Sequence, residues 1–187
     1  MAIWQFHIYF IPRQSLLDKY RHIPTELEMD KESWMDYFQN ADLENEPEFE
    51  DALTIQWWLN LSLDINKFLP LLQQFGDMQG WTAKAESIRS FGGTETNDIT
   101  VCFGNKTRKV EEVSCRLDLR QIDKDFVNKV LSLATQFDCL LMDRQGRLFE
   151  PTLTALADTI RLSNAKRFVN NPRQFLEDLS SGIVTPE

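Results

Sequence analysis

Cysteine is scarce in this chain. Its 187 residues include three, Cys102, Cys115 and Cys139, and no C-x-x-C pair. An odd count without paired spacing excludes a disulfide framework and gives no zinc motif. The thiols are expected to serve as small apolar side chains. Histidine is scarcer still: His7 and His22 stand fifteen residues apart and form no H-E-x-x-H pattern. There is no G-x-S-x-G elbow, and the F-G-G at 91–93 is not followed by a phosphate-binding loop. No apolar run approaches the roughly 18 residues of a membrane span. The first residues, M-A-I-W-Q-F-H, lack a basic leader and read as a strand instead of a signal peptide.

Positive charge is also in short supply. Twenty Lys and Arg face 29 Asp and Glu, for a net charge of −9. That balance argues against duplex nucleic acid and against an anionic membrane surface, both of which demand clustered cations. The deficit is local. Residues 26–51 carry eleven carboxylates and one cation, Lys31, for −10; the remainder of the chain sums to +1. Trp34, Met35, Tyr37, Phe38 and Phe49 punctuate the same stretch. Acidic residues mixed with aromatic ones suit a docking surface for something basic; a solvated loop is the plainer role for the same charge run. Residues 42–51 lack the glycine and the oxygen spacing of an EF-hand loop, so no metal or other cofactor is expected.

Apolar residues make up 42% of the chain and recur along its whole length, which is enough for a core and too much for disorder. Residues 3–11 alternate with period two, Trp4, Phe6, Ile8 and Phe10 against Gln5, His7 and Tyr9, and read as a central strand ended by Pro12. A short helix over 14–21 follows. Ser33 is placed to cap a helix over 34–40. Residues 52–60 and 65–75 read as helical, the second capped by Asp64, stopped at Gly76 and kinked or split at Pro70. Residues 99–103 and 113–119 alternate around Gly104-Asn105 as a hairpin. That phase sends Cys102 and Cys115 to opposite faces, out of disulfide reach. Asp123 caps a helix whose buried stripe is Phe126, Val130, Leu133, Ala134 and Phe137, with Ile122 stapling onto Val127. Residues 139–142 form an apolar strand, and D-R-Q-G turns it into residues 147–149. One helical region opens at Pro151 and breaks at Asn171-Pro172, where Asn171 caps a last helix.

This order predicts an α+β fold: a ferredoxin-like split β-α-β sheet in one domain, 1–187, with residues 21–90 as a helical acidic insertion and the C-terminal helices as an extension. The strands 3–11 and 110–120 should then be central neighbours. His7 would share a polar sheet face with Arg116, Asp118 and Arg120, a group suited to binding an anion or to proton transfer by His7 with Asp118 orienting the ring. Cross-strand ion pairing is the plainer role for the same residues. Neighbouring Trp57 and Trp58 lie about 100° apart on a helix, so either one sits at an edge facing a partner or pocket, or packing on two sides buries both.

R-L-D-L-R at 116–120, a helix, a strand pair ending in Pro151 and S-N-A-K-R-F-V-N-N-P-R-Q-F-L at 163–176 together resemble a loose group of uncharacterised bacterial proteins. Some of that group look like immunity proteins that neutralise toxins. The resemblance covers residues 98–180 and carries no catalytic residue. The reading that joins these observations is a non-catalytic cytoplasmic binding protein whose acidic insertion engages a basic partner such as a toxin. Its expected contacts are Glu44, Glu46, Glu48, Glu50, Asp51, Trp34 and Trp57. The alternatives are a small-molecule (anion) binding protein or enzyme using His7, Arg116, Asp118 and Arg120, and an oligomerising domain with an exposed tryptophan.

Overall fold

The computed structural model describes residues 3–40 and 47–184. Its centre is a six-stranded sheet, antiparallel throughout, built from β1 (Gln5–Pro12), β2 (Ile88–Gly92), β3 (Asp98–Phe103), β4 (Val110–Asp118), β5 (Cys139–Met142) and β6 (Leu148–Phe149). The spatial order is β2-β3-β4-β1-β5-β6. The fold is therefore α+β, and β1 lies centrally, beside the strand over 110–118.

Period-two patterning fixes the register. Phe6 faces Leu117, Ile8 faces Cys115 and Phe10 faces Leu141, while Ile99 and Val101 continue the row on β3 opposite Cys115 and Val113. Two amphipathic helices add their apolar stripes to the same core: α3 (Ile65–Leu72) with Ile65, Phe68 and Leu72, and α4 (Lys124–Gln136) with Phe126, Val130, Leu133 and Ala134. Phe68 meets the ring of Phe137 at 5.2 Å, and Phe75 meets Phe126 at 5.2 Å. Asp64 caps α3 by accepting from Asn66 N at 2.8 Å, and Asp123 caps α4 through Asp125 N and Phe126 N. Pro70 sits within α3, and the helix tightens into a 3₁₀ turn over Gln73–Phe75 soon after it.

Residues 21–90 are less helical than the sequence pattern suggests. Their described residues hold α2 (Lys31–Asn40), α3 and two short 3₁₀ turns, Leu59–Leu61 and Gln73–Phe75; residues 51–58 run as turns, and the segment ends inside β2. The stretch expected as a helix over 52–60 forms turns and a 3₁₀ turn instead, and in it both tryptophans find buried partners. Both are buried, and each anchors separately: Trp57 Nε1 donates to Ala52 O at 2.9 Å, and Trp58 Nε1 to Phe10 O at 2.8 Å. Trp58 then packs on Phe68 and Phe137, which fastens this stretch to the sheet. Neither indole is left at an edge.

At the C-terminus, α5 (Leu153–Arg161) and α6 (Asn164–Asn170) are separate helices, because Ser163 caps the second by accepting from Lys166 N. α6 lies against β1. Asn171 caps α7 (Pro172–Ser180), with Pro172 at its first position and Phe175 buried. Ile122 is half exposed and provides no tight staple.

Candidate functional site

Among its described residues the acidic segment builds its surface around an inward-pointing carboxylate, Asp51. Asp51 is 4% exposed. Its Oδ2 accepts from Trp34 Nε1 at 2.6 Å and Asp30 N at 3.2 Å, and its Oδ1 from Leu53 N at 2.8 Å and Thr54 N at 3.2 Å. Four donors replace the water that a carboxylate loses on burial. Asp51 is thus a structural hub and not a surface contact. Burial corrects the expected role of Asp51; Trp57 is 5% exposed and reaches solvent only as part of the groove wall described below. Glu44 and Glu46 lie outside the described residues.

What Asp51 holds in place is the aromatic face of α2. The helix starts at a cap formed by Asp30, not by Ser33: Ser33 N donates to Asp30 Oδ1 at 2.9 Å, and the Ser33 hydroxyl to Oδ2 at 2.7 Å. Those two bonds, the backbone one first, hold the Asp30 carboxyl below its usual range. Trp34 and Phe38 stack one helical turn apart at 5.6 Å, while Tyr37 and Phe49 pack edge-on to Trp34 at 5.7 and 5.0 Å. The cluster is open to solvent. Phe38 is 70% exposed and Met35 58%, and no residue of α2 is buried. Glu32, Asp36 and Glu48 are exposed in the same segment. Glu50 turns to Lys19 on α1 (Arg13–Tyr20), with Nζ 2.6 Å from Oε1.

Between α1 and residues 47–60 lies an open groove of about 600 Å³. Phe49, Ile55 and Trp57 supply apolar lining, and Asp18, Lys19 and Glu50 supply charge. Of the residues singled out from sequence, Glu50 and Trp57 meet here. Asp18 and Lys19 were not foreseen, because nothing local in Q-S-L-L-D-K-Y marks them as facing a segment some thirty residues away.

The polar sheet face places His7 directly opposite Arg116. The remaining partners are used elsewhere. Arg116 turns to Asp98 on β3, its Nε 2.8 Å from Oδ1 and its terminal nitrogen on Oδ2. Asp118 takes Arg120 as its partner through the backbone N at 2.9 Å and the guanidinium at 2.7 Å, and Arg120 lies over Trp4. The Asp118–Arg120 hydrogen bonds hold the Asp118 carboxyl below its usual range. No contact brings Asp118 to His7, so ring orientation by Asp118 is not seen among the described residues. Burial first, then the positive charges of Arg144 and Arg116, depress the His7 pKa to about 3. The imidazole is neutral at pH 7, and its Nε2 is buried with no hydrogen-bond partner among the described residues. Burial also raises Tyr9, two residues along β1, and Glu112, farther along β4 opposite Cys102.

Cys102 and Cys115 point to opposite faces: Cys115 pairs with Ile8 and Ile99, Cys102 with Ile88 and Glu112. Burial pushes the Cys102 thiol up to about 12 and also raises Cys115 and Cys139, which keeps all three protonated and unreactive at neutral pH. Among the described residues no group of three His, Cys, Asp or Glu is arranged to hold a metal ion, and no helix is long and apolar enough to cross a membrane. Comparison with protein-family models, curated proteins and solved structures finds no match to this chain.

Proposed function

We propose that this chain is a protein-binding module that docks a basic partner on the acidic, aromatic surface of α2 and residues 47–50. The observation that carries this reading is the pairing of exposed Phe38 and Met35 with Glu32 and Asp36 on a helix fixed from below by the Trp34–Asp51 bond, with Glu48 exposed in the adjoining segment. A large apolar side chain held rigidly in solvent, framed by one sign of charge, is the composition of an interface anchor with an electrostatic rim. A cytoplasmic immunity protein facing a basic toxin fits that surface and the resemblance of residues 98–180. The ferredoxin-like reading of the scaffold, as one domain, draws on the inner strand order β3-β4-β1-β5, with β2 and β6 added at the edges.

The test is capture by the immobilised wild-type chain and by a Met35→Ala/Phe38→Ala variant. A basic protein retained by the first and not the second, and released between about 0.1 and 1 M salt as the screening length falls from about 10 to 3 Å, is the expected outcome. Salt-insensitive capture that survives both substitutions refutes it.

A second reading is favoured by the unpartnered His7 Nε2: a small anionic or hydrogen-bonding ligand on the polar sheet face, beside Arg116. Unchanged His7 ring resonances across a panel of small anions dispose of that alternative.

A further inference from the structure

Resting on the docking reading above, we infer that the groove between α1 and residues 47–60 is the pocket for an arginine side chain presented by the basic partner. Its volume, about 600 Å³, falls within the range of pockets that accept a defined ligand. Its chemistry is selective. Asp18 and Glu50 line it together with the apolar faces of Phe49, Ile55 and Trp57. Asp18 is held only by neutral donors, Gln14 Nε2 at 2.8 Å and Asn60 Nδ2 at 3.3 Å, and has no cation in ion-pair contact among the described residues. Its negative charge therefore faces the groove uncompensated.

The groove already hosts one cation of the chain's own. Lys19 reaches Glu50 at 2.6 Å and lies 5.9 Å from the Tyr20 ring centroid, so carboxylate and aromatic surface act on a single ammonium. Hydrogen bonding to Glu50 is the main cause that raises the Lys19 pKa. An incoming guanidinium gains more from the same walls. It offers five donors in a planar fork, bonds a carboxylate in bidentate fashion and stacks on aromatic faces, while its stem covers apolar lining. The guanidinium displaces Lys19 from Glu50, and Lys19, exposed on α1, has solvent to move into.

The experiment is a titration of the full chain with a capped, alanine-based peptide carrying three arginines, and with its lysine and citrulline counterparts. Binding is read at the Trp57 indole N–H resonance. The arginine peptide is expected to saturate that shift, the citrulline peptide to leave it unmoved, and Asp18→Asn or Glu50→Gln to weaken binding tenfold or more. Asp125→Asn, which removes a carboxylate from α4 instead, serves as the net-charge control and retains wild-type affinity. No saturable shift, or equal binding of the citrulline peptide, overturns the assignment. If the captured partner binds Asp18→Asn/Glu50→Gln as it binds wild type yet is lost by Met35→Ala/Phe38→Ala, the groove falls and the docking surface stands. Retention by all these variants sinks both.

Discussion

The acidic arm and the sheet hold their shapes by different means. In the sheet, apolar side chains alternate along strands, each residue meets its neighbour by register, and α4 covers the result with a stripe at helical spacing. Much of that order is repeated locally, so one altered residue leaves the pattern intact. In the arm, α2 buries no residue; it is capped by Asp30 and anchored through Trp34 to the carboxylate of Asp51, 17 residues along the chain. Charge that serves solubility on one side serves architecture on the other: Asp51 is as structural as Phe10.

The most damaging way to break this contrast is at the joint between the regions. Trp58→Ala removes a fully buried indole that bonds to β1 and packs on both Phe68 and Phe137. A loss of about 4 kcal/mol in global stability by urea denaturation is expected, close to the limit of what a domain of this size tolerates. Asp51→Ala follows. It leaves buried donors unpaired, at about 2 kcal/mol. The effect should be regional: amide exchange across residues 31–40 accelerates while sheet amides keep their protection. Uniform acceleration everywhere would show that arm and sheet unfold as one unit.

A pH series sharpens the contrast further. The depressed pKa of His7 means that the unfolded chain binds a proton below about 6.5 that the folded chain does not take up until about pH 3. Its contribution to stability is complete above pH 6.5 and is lost as the pH falls, at up to about 1.4 kcal/mol per unit. His7→Gln should flatten stability measured between about pH 6.5 and 5 relative to wild type. Glu112, raised by burial, titrates in the opposite sense in both proteins and cancels in the difference. An identical slope in the two proteins would show that His7 is more solvated than its surroundings imply. The smallest change in stability is expected at Phe38→Ala, within about 0.5 kcal/mol because the ring is mostly in solvent, and it separates stability from binding if partner capture is lost.

The legible parts of the fold are those whose signal is local. β1, the β3–β4 hairpin, β5 and the caps Asp64, Asp123 and Asn171 all announce themselves within a few residues. β2 does not. Its sequence I-R-S-F-G shows no alternation, and its polar members are settled by distant groups: Ser90 N donates to Thr82 Oγ1, and Thr100 Oγ1 donates to Ser90 Oγ. The break at Ser163 is signalled only by residue type, because serine favours the cap position but S-N-A-K lacks the Glu or Gln three residues on that completes a capping box. The site divides in the same way. Trp34 and Phe38 are readable as an i, i+4 pair, whereas the inward turn of Asp51 is decided by Asp30, Trp34 and Leu53 together. No count of charges reveals which one will be dehydrated.

Where the arm leaves α1 it runs alongside β6, with Leu27 N on Gly146 O at 2.8 Å and Leu148 N on Thr25 O at 3.0 Å. Gly146, at φ +83°, admits this approach because a Cβ there would meet Leu27 O at 2.2 Å. The outer rim of a two-residue strand is thereby closed by a segment bearing Glu26. Exposed sheet margins invite other chains to add on, and a short, sealed and negatively charged one resists such growth. The segment that leads into the proposed docking face thus also closes this edge of the sheet to strand addition.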